Sequence, residues 1–229
     1  MHSAQAVLDR RADGTPFEEL ARAFREYDRW TGDDPRLLVA EAAVATTGRR
    51  FVDGIVPAVS RFRDAFVRTG RLATLSDLAA LEPDHQDLVD AVGTGRARHV
   101  LCATATVLSE RPEADDLEAL RGWAAEADQY AHDEDPIGSI AGVGPSSFQY
   151  LRQLAGIDAA RPDPTLARFV DAVDAELESA ALSTATGRRT IVSCEWLSLV
   201  STYTPLEIDR IAWWVRTDEE ERRAVLDVR

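Results

Sequence analysis

Residues 137–169 read IGSIAGVGPSSFQYLRQLAGIDAARPDPTLARF. At the centre, Gly142-Val143-Gly144-Pro145-Ser146-Ser147 sets two glycines two apart, directly ahead of a proline-started helix. With a short helix expected over 137–141 and a second over 145–155, this is a tight turn between helices. Glycine permits positive φ and lets another chain approach the backbone closely. The backbone N–H groups that open the second helix then face outward, which suits an anion such as a phosphodiester oxygen. The same residues also read as a helix C-cap glycine followed by an ordinary proline-started helix. Nineteen residues past Gly144 stands Asp163, and five residues later Arg168.

Outward from this stretch the pattern is helical nearly throughout. Asp34-Pro35, Asp163-Pro164, Thr15-Pro16-Phe17-Glu18 and Thr204-Pro205-Leu206-Glu207 each pair an N-cap residue with proline, and the last two add the Glu of a capping box. Phe51, Ile55, Val59, Phe62 and Phe66 fall at helical spacing, so a helix is expected over 51–67. Further helices are expected over 75–81, 85–92, 97–108, 117–130, 164–182, 190–200 and 205–215. No stretch sustains the alternation of a strand. The fold class is therefore all-α, with about a dozen helices on short connections. The N-terminal tail, residues 183–189 and the charged end after Thr217 are expected to be loose.

The chain has 229 residues, 45% of them hydrophobic and 29% charged, which excludes a disordered, collagen-like or disulfide-scaffold protein. No apolar run reaches the ~20 residues of a membrane span. Met1 to Arg11 carry no apolar signal core, so the expected compartment is the cytoplasm and no membrane partner is expected. Asp and Glu number 40 against 26 basic residues, a formal net charge of -14, and every basic residue is Arg. A GC-rich genome and adaptation to high salt both account for this bias. Taken alone, the acidic balance opposes nucleic-acid binding. Cys102 and Cys194 are too few for a zinc or iron–sulfur site and read as buried small hydrophobes. His2, His85, His99 and His132 have no ligand spacing, so no metal and no cofactor is expected.

The hairpin Gly142-Val143-Gly144, followed by Arg161-Pro162-Asp163-Pro164-Thr165-Leu166-Ala167-Arg168, resembles the signature of the helix-hairpin-helix (HhH-GPD) DNA glycosylase superfamily. That superfamily includes endonuclease-III-like, adenine-mismatch, 8-oxoguanine and alkylbase glycosylases. Its signature is a Leu-Pro-Gly-Val-Gly-type hairpin, a helix, and a Val-Asp-x-x-x-x-Arg-type element at similar spacing. Weaker similarity runs from about residue 35 to 215. Leu37-Leu38-Val39-Ala40 through Thr46-Thr47 looks like the family helix that ends in a DNA-facing turn. Val92-Gly93-Thr94-Gly95-Arg96-Ala97-Arg98 looks like a later glycine-containing turn, and Pro205 to Trp213 is similar to a closing helix.

The resemblance implies two helical lobes of the HhH-GPD type with a cleft between them. Residues 36–158 would form the central lobe, and 1–35 with 159–229 the second. It implies a duplex DNA partner bearing a damaged base, with backbone phosphate held by Gly142, Val143, Gly144, Ser146 and Ser147. Thr46 and Thr47 would face DNA, and Arg168 would pair with an inner acid or a phosphate. Arg49, Arg50, Arg96, Arg98 and Arg152 would lie near DNA. Where many members carry a Schiff-base Lys this chain has Ser146, and with no Lys anywhere a Lys-based lyase route is closed. Thr46 and Thr47 stand where Gln is usual, and the iron–sulfur cysteines are absent.

Asp163 is the implied catalytic residue. Breaking an N-glycosidic bond builds positive charge on the sugar, and a carboxylate beside it stabilises that charge and orients water. A helix N-terminus keeps such a carboxylate ionised. Asp-Pro is equally a plain N-cap pair. A flipped base needs an aromatic pocket; Trp30, Trp123, Tyr150, Trp196, Tyr203, Trp213 and Trp214 serve either that pocket or the core. The implied activity is monofunctional base removal. The alternative is a non-catalytic DNA-binding or damage-sensing protein that kept the scaffold, and a protein unrelated to DNA is the third reading.

Overall fold

Cap pairs set the helix starts. Asp34 accepts the Arg36 N–H at 3.0 Å, and Asp163 Oδ1 accepts those of Thr165 and Leu166 at 2.8 and 3.0 Å. Thr204 and Glu207 exchange side-chain-to-backbone bonds of 3.3 and 3.0 Å, a complete capping box. The computed structural model describes residues 3–177 and 182–228. Thirteen α-helices are present among them: α1 Ala4–Ala12, α2 Phe17–Arg25, α3 Pro35–Ala45, α4 Val56–Phe62, α5 Leu75–Ala79, α6 Gln86–Val92 and α7 Gly95–Ser109 in the first half. Then follow α8 Asp116–Glu126, α9 Pro145–Leu154, α10 Pro164–Asp174, α11 Gly187–Leu199, α12 Pro205–Arg216 and α13 Glu219–Asp227. The protein is all-α.

Several local expectations are corrected. Thr15 does not cap α2: its N–H and hydroxyl both bond to Ala12 O, closing α1, and Pro16 takes the N-cap position without a side-chain bond. The stretch 51–67 is not one regular helix, because π-helical turns Phe51–Ile55 and Arg63–Val67 flank α4. Residues 137–141 form turns rather than a helix. Asp135 Oδ1 binds the Ile137 and Gly138 amides at 2.7 and 3.2 Å, and a Cβ on Gly138 would fall 1.7 Å from His132 O. The N-terminal segment is helical from Ala4, and the charged end forms α13. The helix expected over 164–182 stops at Asp174, and 178–181, like His2, lie outside the described residues.

Two hydrophobic cores result. The first joins α3, α4, α5, α7 and α9 around Phe62, Phe66, Leu101 and Phe148; α2 adds Ala21 and Phe24, and α12 adds Leu206. The second joins both chain ends: Val7 and Leu8 of α1 meet Phe169 of α10, Cys194 and Leu197 of α11, and Ile208 and Ile211 of α12. Cys102 and Cys194 are both buried free thiols, and burial pushes the Cys102 thiol up to about 11. Among the described residues no helix is long and apolar enough to cross a membrane.

Candidate functional site

A cavity of about 460 Å³ opens where the two cores meet. Such a volume lies within the range of small-ligand sites. Phe24, Trp30, Tyr150 and Trp213 supply aromatic wall, and Asp163 and Asp209 supply carboxylates. Each residue arrives by a local rule. Tyr150 lies in the buried part of α9, six residues past Gly144. Asp163 is the α10 N-cap, held there by the proline that follows it. Asp209 occupies the apolar face of α12 between Leu206 and Ala212.

The two carboxylates live in opposite surroundings. Asp163 is partly exposed; its Oδ1 takes two helix N–H groups, and its Oδ2 is 3.8 Å from Arg161 Nε. Asp209 is only 4% exposed. Its Oδ2 accepts Gln153 Nε2 and Arg210 Nη2, each at 2.6 Å, and Oδ1 takes none of the side-chain bonds. Burial raises the Asp209 carboxyl above its usual range, and the Asp163 charge adds to the rise against the pull of Arg210.

Arginines brace the aromatic wall. Arg29 and Arg210 lie over Phe24 at 4.2 and 4.7 Å from the ring centre, and Arg161 lies over Tyr150 at 4.6 Å. Arg29 pairs with the fully buried Glu41 at 2.6 Å, and Tyr150 donates its hydroxyl to the same carboxylate at 2.5 Å. Burial, reinforced by the Glu41 charge, pushes the Tyr150 phenol far up, so it stays a neutral donor. Arg161 Nε also donates to Ser146 Oγ at 3.0 Å, which ties the hairpin helix to the Asp163 cap.

The hairpin is distributed as follows. Gly142 has φ of 103°, a backbone that favours glycine, and is exposed; a Cβ there would crowd Arg96 Cγ at 3.1 Å. Gly144 is extended, with open space where a Cβ would sit. The Val143 N–H bonds to Ile140 O and the Gly144 N–H to Ser147 Oγ. The Ser146 and Ser147 amides open α9 and are left without a hydrogen bond among the described residues.

Of the remaining expected positions, Arg49 and Arg50 line the cavity, while Thr46, Thr47, Arg96, Arg98, Arg152 and Arg168 lie apart from it. Thr46 and Thr47 turn their hydroxyls back onto Ala43 O and Val44 O at the end of α3, while Gly48, Arg49 and Arg50 just after them line the cavity. Arg168 is exposed on α10 and makes none of the ion pairs present among the described residues. Arg50 pairs with Asp218 and Glu221 at 2.8 and 3.0 Å. Arg98 pairs with Asp84 and bonds to Pro83 O and Gly93 O. Arg152 is buried and bonds to Ala124 O and Gln149, so it has no surface to offer DNA.

Sequence reading missed Arg161, Asp209 and Arg210. The signal for Asp209 was present, since a carboxylate on the apolar stripe of an amphipathic helix asks for a buried partner. Among the described residues no group of three or more His, Cys, Asp or Glu side chains is placed to hold a metal. No protein family, curated protein or solved structure matches the chain.

Proposed function

We propose that the protein is a monofunctional DNA N-glycosylase-like enzyme of the helix-hairpin-helix type. It would bind duplex DNA through the turn at 142–147 and take a damaged or mispaired base into the cavity between the two cores. The observation that carries this reading is the position of Asp163: an N-capping carboxylate, linked through Arg161 to the hairpin helix, that lines an aromatic-walled cavity large enough for a nucleobase. In this reading the two cores correspond to the two lobes, and the cavity to the cleft.

The chemistry follows from the groups present. As the bond between the sugar C1′ and the base nitrogen stretches, the electron pair leaves with the base and positive charge grows on the sugar. Ionised Asp163 stabilises that charge and orients the water whose oxygen adds to C1′. Trp213, a half-buried aromatic of the wall, offers a face for the flipped base. The Lys-based lyase route remains closed for want of any Lys.

A non-catalytic DNA-binding or damage-sensing protein is the second reading. Arg50 and Arg98 are taken by ion pairs and Arg152 is buried, so three of the cations expected near DNA are not free for phosphate. Asp163→Asn separates the two. Asn caps a helix as well as Asp, so the fold is kept. An enzyme then loses about 100-fold or more of base release from a panel of damaged duplexes while still binding them. A wild-type protein that binds but releases no base, in salt from low to multi-molar, supports the second reading instead.

A further inference from the structure

Helix α11 has two apolar faces, and only one is buried. Ile191, Cys194 and Leu197 lie inside the protein. Val192, Trp196 and Leu199, with Val200 at the C-cap, are exposed at helical spacing. They are four of the five large hydrophobic side chains exposed among the described residues, and Leu199 is 84% exposed. Single exposed apolar residues are ordinary, but a continuous stripe with a polar rim marks a contact surface. The rim is present: Glu195 accepts the Tyr130 hydroxyl and the Gln129 side-chain amide, and Arg188 lies over the Tyr130 ring. Trp196 therefore belongs to neither core, and no α11 residue lines the cavity.

Charge at the two ends of the stripe identifies its occupant. Arg188 and Arg189 are exposed in the first turn of α11, about one turn before Val192, and that turn holds no acidic residue. Cations there face the positive end of the helix dipole, so a carboxylate brought from outside is favoured. At the other end stands Asp9, also exposed. Its Oδ1 accepts Gln5 Nε2 at 2.7 Å and the Tyr203 hydroxyl at 2.9 Å, and Gln5 accepts the Thr202 N–H at 2.8 Å. These bonds hold the Asp9 carboxylate beside the residues that follow Val200. We propose that the stripe is the interface of a homodimer, in which two α11 helices pair antiparallel about a two-fold axis at Trp196. Val192 then meets the partner's Val200, and Arg188 and Arg189 reach toward the partner's Asp9. Such an interface is isologous, each copy supplying what the other lacks. Antiparallel helix dipoles add to the attraction. Physiological salt screens the repulsion between two chains of net charge -14 beyond about 8 Å and spares the contacts at the interface. Four side chains make a small contact, so the dimer is weak and forms with rising concentration.

The test is sedimentation of the full chain at physiological salt, from micromolar to millimolar concentration. Wild type is expected to pass from monomer to dimer. Leu199→Glu is expected to stay monomeric and, compared at low concentration, to unfold at the wild-type temperature, because the side chain is already in water. Arg189→Glu and Asp9→Arg are each expected to weaken the dimer. Together they restore opposite charges across the axis and are expected to regain it. Trp196→Cys is expected to cross-link to its own copy on mild oxidation, since both native cysteines are buried. Ser139→Cys, exposed outside the stripe, is expected not to. A wild type that is monomeric at every concentration overturns the proposal, and so does a dimer that Leu199→Glu leaves intact. A dimer lost in Leu199→Glu, yet neither regained by the charge exchange nor cross-linked through Trp196→Cys, overturns the antiparallel pairing. The outcome is independent of the base-excision reading, since the stripe and the cavity share no residue.

Discussion

At the scale of single residues, the site depends on charges placed where the sequence alone gives little warning. Glu41 sits in the run Leu37 to Ala45, every member of which is buried. Its carboxylate is fully inside and binds Arg29 (2.6 Å), Tyr150 (2.5 Å) and Thr31 (3.3 Å). Removing one partner of such a cluster leaves the other charge buried and uncompensated. Glu41→Ala is therefore expected to lower stability by about 3–5 kcal/mol in denaturant titration, far beyond the loss at an exposed pair such as Arg68–Asp64. A cost below 1 kcal/mol would mean that water reaches Arg29. The polar residue on a buried face was legible; its partners, ten, twelve and 109 positions away, were not. Asp163 shows the converse, because its cap is wholly local and the Asp-Pro pair announces it.

Elements repeat the lesson. Thr15-Pro16-Phe17-Glu18 and Thr204-Pro205-Leu206-Glu207 are the same device on paper, but only the second closes as a capping box. The difference lies upstream, where the tight turn through Gly14 draws Thr15 back onto Ala12 O. Thr204→Ala is expected to cost about 1 kcal/mol, and Thr15→Ala less, by thermal or urea unfolding of the two variants side by side. Equal costs would contradict the assigned bonds. The π-turns around α4 were not legible, since apolar residues at spacings of three and four fit a regular helix equally well. Nor was α13: it has no buried residue, and the sequence signals only its charge. It is held by Arg50 to Asp218 and Glu221, by Glu221 to the Phe51 N–H, and by Arg222 stacked over Trp214.

For the whole molecule, the question is how a chain with a net charge of -14 would hold DNA. Some of its arginines pair with its own carboxylates, and Asp218 and Glu221 at the start of α13 stand against Arg50 on the rim of the cavity. On the proposed DNA-binding reading, an acidic helix there occupies a cation that phosphate would otherwise use. Asp218→Asn combined with Glu221→Gln is expected to tighten duplex binding at low salt and to steepen the salt dependence by about one unit of log–log slope, the release of roughly one further counterion. An unchanged slope would remove Arg50 from the DNA-facing surface. The all-α class followed from the sequence because caps and helical spacing are local properties. The meeting of the two cores around Asp163, Asp209 and Tyr150 did not, because it joins α2, α9, α10 and α12, which packing rather than pattern brings together. The measurement that tests the central claim most directly is binding to duplex DNA with a stabilised abasic-site analogue, against intact duplex, across salt from low to multi-molar. The account predicts clear preference for the abasic analogue at every salt where binding is seen. Equal binding to both, or none at any salt, would contradict it.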